Sequence, residues 1–140
     1  MWIKSYSKKY TGLKAEEIWA VWTNVNEWNK WQLDTEQASM VGEFKVGNTF
    51  MLKPKGGPRV NIEIIQVVPF KQFTDLTRFP GARMYGDHEF ISHENGELEI
   101  KTTMSIEGPL SFIWRKIVAE GVANGLPEQT EWLISRVKNG

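Results

Sequence analysis

The chain has 140 residues, 17 basic and 17 acidic side chains with a formal net charge of zero, and 41% hydrophobic residues. This length suits one domain over 1–140, and the balanced charge gives no bulk attraction to nucleic acid. Because the chain has no cysteine, disulfides, thiolate nucleophiles and sulfur-ligated metal sites are excluded.

The first segment, MWIKSYSKKY, alternates polar and apolar residues. This alternation predicts a strand over 2–10 and leaves no apolar run that would serve as a signal peptide. No apolar run elsewhere approaches the roughly 18 residues needed to cross a bilayer. We therefore expect a cytoplasmic protein without a membrane span.

The next segment, GLKAEEIWAVWTNVNEWNKW, places apolar residues three and four positions apart, as on one face of a helix. Its middle part, TNVNEWN, is rich in poor helix formers, so we predict two short helices with a break near Asn24. Trp19, Trp22, Trp28 and Trp31 share the helical spacing, and core packing explains them better than a ligand-stacking surface.

The segment from Thr35 to Glu107 predicts about six further strands separated by turns. Asn95-Gly96 is the strongest short hairpin signal in this segment. Over 97–107 apolar residues alternate with charged ones, so one face of that strand is buried and the other is wet. Such alternation is typical of an antiparallel sheet that is covered on one side.

The last segment, LSFIWRKIVAEGVANGLPEQTEWLISRVK, predicts a helix over roughly 109–138. Gly121 and Gly125 lie four residues apart on one face, although each costs about 1 kcal/mol relative to alanine. We expect this face to look toward the sheet and to leave room for a ligand; the alternative is tight helix–sheet packing. Pro127 predicts a kink.

The order of these elements predicts an α+β fold, with a curved antiparallel sheet of about seven strands and helices on its concave face. Three segments resemble the START and birch-pollen-allergen (SRPBCC) superfamily. AEEIWAVWTNVNEWNKW is similar to the opening helices of that family, and GDHEFISHENGELEIKTTMSIEGPL is similar to its last hairpin and its Gly-Pro entry to the closing helix. NGLPEQTEWLISRVK resembles the tail of the polyketide cyclase/dehydratase-like branch. The resemblance implies a helix-grip fold, with a long C-terminal helix across the sheet and a largely apolar cavity between them.

Strand parity and the apolar stripe of the last helix together predict the side chains that line this cavity. The parity of the strand FTDLTRF is ambiguous, because Leu76 and Arg78 form one set and Asp75 belongs to the other. If Leu76 faces inward, Arg78 does too, and it could bind an anionic group. The candidate ligand-binding residues are Phe50, Leu52, Ile64, Leu76, Arg78, Met84, His88, Phe90, Met104, Trp114, Ile117, Val118 and Gly121.

His88 is the best catalytic candidate, because it falls on the apolar side of its strand and imidazole exchanges a proton near neutral pH. The alternative is a buried histidine that only satisfies local hydrogen bonds. Asp87 and Glu89 flank His88 but point to the opposite face, so neither is an obvious partner. His93 lies five residues away on the other face, so the two histidines cannot share a metal, and we expect neither a metal nor a cofactor.

Three functions are compatible with these patterns. We rank first the binding of a small hydrophobic molecule, lipid-like or polyketide-like. A cyclase or dehydratase acting on such a ligand is second, and an interaction module of the chaperone-activator type is third. The outward positions of the last two strands are mostly charged apart from Tyr85 and Ile91, which disfavours a partner-binding patch. We expect no nucleic-acid partner, and a monomer or a weak homodimer.

Overall fold

A computed structural model describes residues 1–139, in which seven strands form a single sheet. Every neighbouring pair of strands is antiparallel, as the sequence predicts. The strands are β1 (Trp2–Tyr10), β2 (Thr35–Ser39), β3 (Thr49–Pro54), β4 (Val60–Val68), β5 (Gln72–Phe79), β6 (Ala82–Ser92) and β7 (Leu98–Glu107). Their order across the sheet is β1-β7-β6-β5-β4-β3-β2, so β1 and β2 are the two edges.

The hairpin between β6 and β7 forms where the sequence predicts it. Gly96 has a φ of 83°, in the left-handed region that glycine enters without strain. The His93 N–H donates to the Glu97 carbonyl at 2.9 Å and closes the turn. In β7, residues alternate strictly between buried and half-buried, which confirms the predicted face.

In the described part of the chain, five helices cover the concave face of the sheet. They are α1 (Ala15–Thr23), α2 (Trp28–Trp31), α3 (Ser111–Trp114), α4 (Glu120–Asn124) and α5 (Leu126–Asn139). A 3₁₀ turn, Val25–Glu27, separates α1 from α2 at the predicted break. Within residues 1–139, no helix combines the length and the apolar character required to cross a membrane.

The C-terminal helix contains a π-turn, Arg115–Ala119, between α3 and α4. The N–H of Glu120 donates to the carbonyl of Arg115, five residues back. One extra residue in a turn rotates everything after it by about 100°, because an α-helix has 3.6 residues per turn. The buried stripe after Trp114 therefore passes through Ala119 and Ala123.

This rotation overturns the predicted inward positions of Ile117 and Gly121. The side chain of Ile117 is 66% exposed. Gly121 is exposed, and a Cβ added to it would meet no atom within 4 Å. Gly125 separates α4 from α5, and Pro127 lies in the first turn of α5, where a missing N–H costs little. The helix is therefore interrupted at Gly125, and neither glycine makes room for a ligand above the sheet.

Buried side chains form two separate clusters between the sheet and the helices. The large cluster joins α1, α2 and α5 to strands β2 to β7 and contains three of the four helical tryptophans, Trp22, Trp28 and Trp31; Trp19 packs against it half-buried. The small cluster consists of Ala82, Ile106 and Ala119, with Trp2, Phe79, Met84 and Trp114 packed against it. The predicted core role of the four tryptophans is thus confirmed.

Candidate functional site

A belt of mostly polar positions crosses the concave face between the two clusters. In the sheet register, Phe73 pairs with His88, His88 with Thr102, and Thr102 with Tyr6. In the adjacent row, Asp75 pairs with Gly86. We call Tyr6, Asp75, Gly86, His88 and Thr102 the central belt; none of them belongs to either apolar cluster.

Asp75 and His88 form a hydrogen-bonded pair in this belt. The Nε2 atom of His88 lies 3.0 Å from Oδ2 of Asp75, and the two side chains are 22% and 18% exposed, His88 first. An ionised carboxylate can only accept, so Nε2 carries a proton, and in the neutral imidazole Nδ1 is then an acceptor. Nδ1 has no hydrogen-bond partner within residues 1–139. The pair is therefore oriented and partly accessible, and it has one free acceptor.

Aromatic rings hold the imidazole in place. The ring of Phe73 stacks on His88 with a centroid distance of 4.3 Å and an interplanar angle of 16°. Trp22 of α1 meets the imidazole edge-on at 5.6 Å. On the other side of the pair, a Cβ at Gly86 would lie 2.8 Å from Oδ1 of Asp75. The carboxylate thus occupies the space that a side chain at position 86 would take.

The register between β5 and β6 resolves the ambiguous parity of β5. Phe73 and Asp75 face the concave side with His88, and the next residue of their set, Thr77, is buried. Arg78 belongs to the other set: its side chain is 63% exposed and is bonded to Glu63. Leu76 alternates with Asp75 and so lies in the outward set, although it is buried. Leu76 and Arg78, which the sequence made candidate ligand-binding residues, therefore do not line the concave face.

The remaining candidates lie on the concave side but are mostly filled core positions. Phe50, Ile64 and Phe90 are buried in the large cluster, and Leu52 packs against it. Met84 and Trp114 pack against the small cluster, Met104 is buried and Val118 is half-buried. The indole N–H of Trp114 donates to the Pro80 carbonyl at 2.8 Å, and its ring stacks on Phe79 at 4.6 Å. Trp114 is therefore held in place as a packing residue.

A groove of about 440 Å³ opens between β1 and α5 at the end of the central belt. Tyr6 lines this groove and also stands in the register row of His88, two strands away. Because neighbouring strands are about 4.8 Å apart, the groove begins roughly 10 Å from the Asp75–His88 pair. The lining residues are Tyr6, Lys8, Pro127, Glu128, Glu131 and Trp132.

A hydrogen-bonded ion pair joins β1 to α5 at the edge of this groove. Lys8 Nζ and Tyr10 Oη each donate to Oε1 of Glu131 at 2.8 Å. The hydrogen bond from Lys8, followed by that from Tyr10, holds the pKa of the Glu131 carboxyl below its usual range. Burial, followed by the hydrogen bond to Glu131, raises the pKa of Tyr10.

A second depression, of about 590 Å³, lies in the loop over residues 41–48. It shares no residue with the central belt or with the groove. Within residues 1–139, no three histidine, aspartate or glutamate side chains lie close enough together to hold a metal ion.

Sequence reasoning missed Asp75 and the groove for different reasons. For Asp75 the local pattern was ambiguous, because both alternating sets of β5 mix apolar and charged residues, and the register with β6 turns its set inward. The groove had no local signal, since Lys8 and Glu131 meet only through the tertiary fold.

Neither a protein-family model nor a curated protein matches the chain. Solved structures do match it in fold. A hypothetical protein from Helicobacter pylori is 16% identical with a TM-score of 0.77, and the match covers 96% of this chain and 87% of that one. A START superfamily protein from Mycobacterium smegmatis is 11% identical with a TM-score of 0.70, and the match covers 98% of this chain and 97% of that one. Norcoclaurine synthase from Thalictrum flavum is 14% identical with a TM-score of 0.73, and the match covers 97% of this chain and 85% of that one.

At sequence identities this low, the matches show that the fold is shared and nothing further. A further structure of norcoclaurine synthase contains dopamine and hydroxybenzaldehyde. The resemblance inferred from the sequence is confirmed at this level, and so is the predicted architecture of a seven-stranded antiparallel sheet gripped by a C-terminal helix. The chain has a helix-grip fold, like the START superfamily protein that it matches in structure.

Proposed function

We propose that this protein binds a small, largely hydrophobic organic molecule between the concave face of the sheet and the C-terminal helix. The observation that carries the proposal is that Tyr6 lines the groove and also stands in the register row of His88, so the groove lies at the end of the central belt. The ligand would enter between β1 and α5 and reach toward Asp75 and His88.

The size and lining of the groove support this proposal. Ligand sites commonly measure about 300–1,000 Å³ and combine apolar walls with a few placed polar groups. The groove of about 440 Å³ has the rings of Tyr6 and Trp132 in its walls. The partly exposed Asp75–His88 pair supplies such placed polar groups. The shared fold with norcoclaurine synthase, which has been solved with two small aromatic molecules, is consistent with a ligand of this kind.

Backbone amide NMR spectra recorded during a titration with the neutral dye N-phenyl-1-naphthylamine test the proposal. We expect the largest shifts at Tyr6, Lys8 and the first two turns of α5. Tyr6→Ala should weaken binding by about threefold or more, because the dye loses an aromatic wall. Tyr85→Ala is the matched control: it removes a half-buried tyrosine from the outer face, where Tyr85 Oη lies 3.1 Å from Glu107, and should leave the affinity unchanged.

Shifts concentrated in residues 41–48 would move the site to the loop depression and refute the proposal. So would equal losses of affinity in Tyr6→Ala and Tyr85→Ala, since those would reflect general destabilisation.

A further inference from the structure

We propose that the Asp75–His88 pair is a proton-accepting site for a weakly acidic hydroxyl group, phenolic or enolic, on the bound ligand. This inference rests on the proposed function, because it requires a ligand that reaches the central belt. It assigns a chemical class to the polar end of that ligand.

The first support is the state of the two ring nitrogens. Nε2 of His88 donates to Asp75 at 3.0 Å, while Nδ1 has no partner within residues 1–139. Nδ1 is not among the buried side-chain atoms that lack a partner in the described residues, so it is open to solvent and to an incoming ligand atom. His88 is also 22% exposed, so a ligand atom can approach the ring.

The proton transfer balances without any other reactant. The ligand O–H bond breaks as its proton forms a bond to Nδ1, and the oxygen keeps the electron pair. The product is an imidazolium paired with the Asp75 carboxylate, facing a ligand oxyanion. The reverse transfer restores both neutral partners, so the step needs neither an oxidant nor a second substrate.

Charge explains why the group should be a neutral weak acid. Asp75 places a carboxylate 3.0 Å from Nε2 of the imidazole, while Phe73 and Trp22 pack against the ring. A ligand carboxylate arrives without a proton to give to Nδ1, so it would meet a neutral imidazole and the Asp75 carboxylate with a second negative charge, and like charges at close range repel. An ammonium would compete with His88 for Asp75 and would leave Nδ1 unused. A hydroxyl matches the free acceptor and arrives without charge.

The immobilised geometry suits this role. Stacking on Phe73 fixes the plane of the imidazole, and Asp75 fixes the tautomer, so the lone pair of Nδ1 has a defined direction. The missing side chain at Gly86 lets the carboxylate stay in place. These features orient the acceptor before a ligand arrives.

The test uses 4-nitrophenol, whose phenolate form absorbs visible light, and 4-nitroanisole, which replaces its hydroxyl with a methyl ether. At a pH where free 4-nitrophenol is mostly protonated, the wild-type protein should raise the phenolate fraction of the bound dye. His88→Gln should bind 4-nitroanisole with an affinity within about threefold of the wild type. It should leave the phenolate fraction of bound 4-nitrophenol at the value of the free dye. Asp75→Asn should give a smaller phenolate fraction than the wild type, because the imidazolium loses its counter-charge. Circular dichroism checks that each variant is folded.

The outcomes separate the two proposals. If neither compound binds the wild-type protein, the proposed function fails and this inference fails with it. If both compounds bind and the wild type leaves the phenolate fraction at the free value, the ligand site stands and the proton-accepting role is overturned. A phenolate fraction raised equally in the wild type and in both variants would overturn it too, because the ionisation would then come from elsewhere in the site.

Discussion

Adding a single methyl group at Gly86 should separate the support that Asp75 gives to proton transfer at His88 from its contribution to stability. In Gly86→Ala the new Cβ would lie 2.8 Å from Oδ1, 3.1 Å from Oδ2 and 3.2 Å from Cγ of Asp75. Ordinary van der Waals contact begins near 3.4 Å, so the carboxylate must retreat by about 0.6 Å. Such a shift would lengthen the 3.0 Å contact between Nε2 and Oδ2 to at most about 3.6 Å, and so would weaken or break this hydrogen bond.

The expected cost to stability is small. Alanine in a strand interior is favoured over glycine by about 0.5–1 kcal/mol. A hydrogen bond to a charged group is worth about 1.5–3 kcal/mol when buried, and less in this pair because each side chain is about a fifth exposed. The free energy of unfolding should therefore fall by no more than about 2 kcal/mol, whereas the phenolate fraction of bound 4-nitrophenol should fall below the wild-type value.

Gly121→Ala is the matched control, since it makes the same substitution where the added Cβ meets no atom within 4 Å. It should leave the phenolate fraction at the wild-type value and stabilise the helix by up to about 1 kcal/mol. Thermal unfolding and visible absorbance measure both effects. The reasoning is refuted if Gly86→Ala raises the phenolate fraction as fully as the wild type, because the position of the carboxylate would then be irrelevant to the proton transfer.

Two further predictions concern the C-terminal helix. If the π-turn sets the inward stripe, Ile117→Asp should change the free energy of unfolding by less than about 0.5 kcal/mol, while Ala119→Asp, at a fully buried position, should lower it by more than about 3 kcal/mol. Chemical denaturation measures both values. A larger loss in Ile117→Asp than in Ala119→Asp would mean that the helix is an unbroken α-helix with Ile117 facing inward. Glu131→Gln should lower the melting temperature at neutral pH, because Lys8 and Tyr10 donate to the carboxylate and hold the pKa of Glu131 below its unfolded value. That stabilisation is complete above the unfolded pKa and disappears as the pH falls through the lowered folded pKa, so the two melting curves should converge in acid. A difference that persists or grows in acid would contradict this account.

Much of the architecture could be read from local patterns, because period-2 burial and turn chemistry act within one strand or one hairpin. The strict alternation over Leu98–Glu107 predicts a sheet covered on one side, and Asn95-Gly96 predicts the hairpin that precedes it. The same kind of alternation in β6 is enough to place His88 on the concave side. These are short-range consequences of the backbone, and tertiary packing does not override them here.

The chemistry of the site depends on partners that the local pattern leaves undetermined. In β5 both alternating sets mix apolar and charged residues, so periodicity alone cannot choose between Asp75 and Arg78. The choice follows from the register with β6, which sets Asp75 opposite the empty position of Gly86 and Phe73 against the ring of His88. A charged side chain faces inward there because a neighbouring strand supplies both a hydrogen bond and the space.

The last helix shows the same limit. A stripe drawn from Trp114 at 3.6 residues per turn assumes an unbroken α-helix, and the i→i+5 hydrogen bond between Glu120 and Arg115 moves that stripe to Ala119. The groove depends on contacts that are still more distant along the chain, since Lys8 and Glu131 are 123 residues apart. Sequence periodicity reports how a segment prefers to turn, whereas sheet register and helix packing decide which of its side chains meet, because those contacts form between segments that are far apart along the chain.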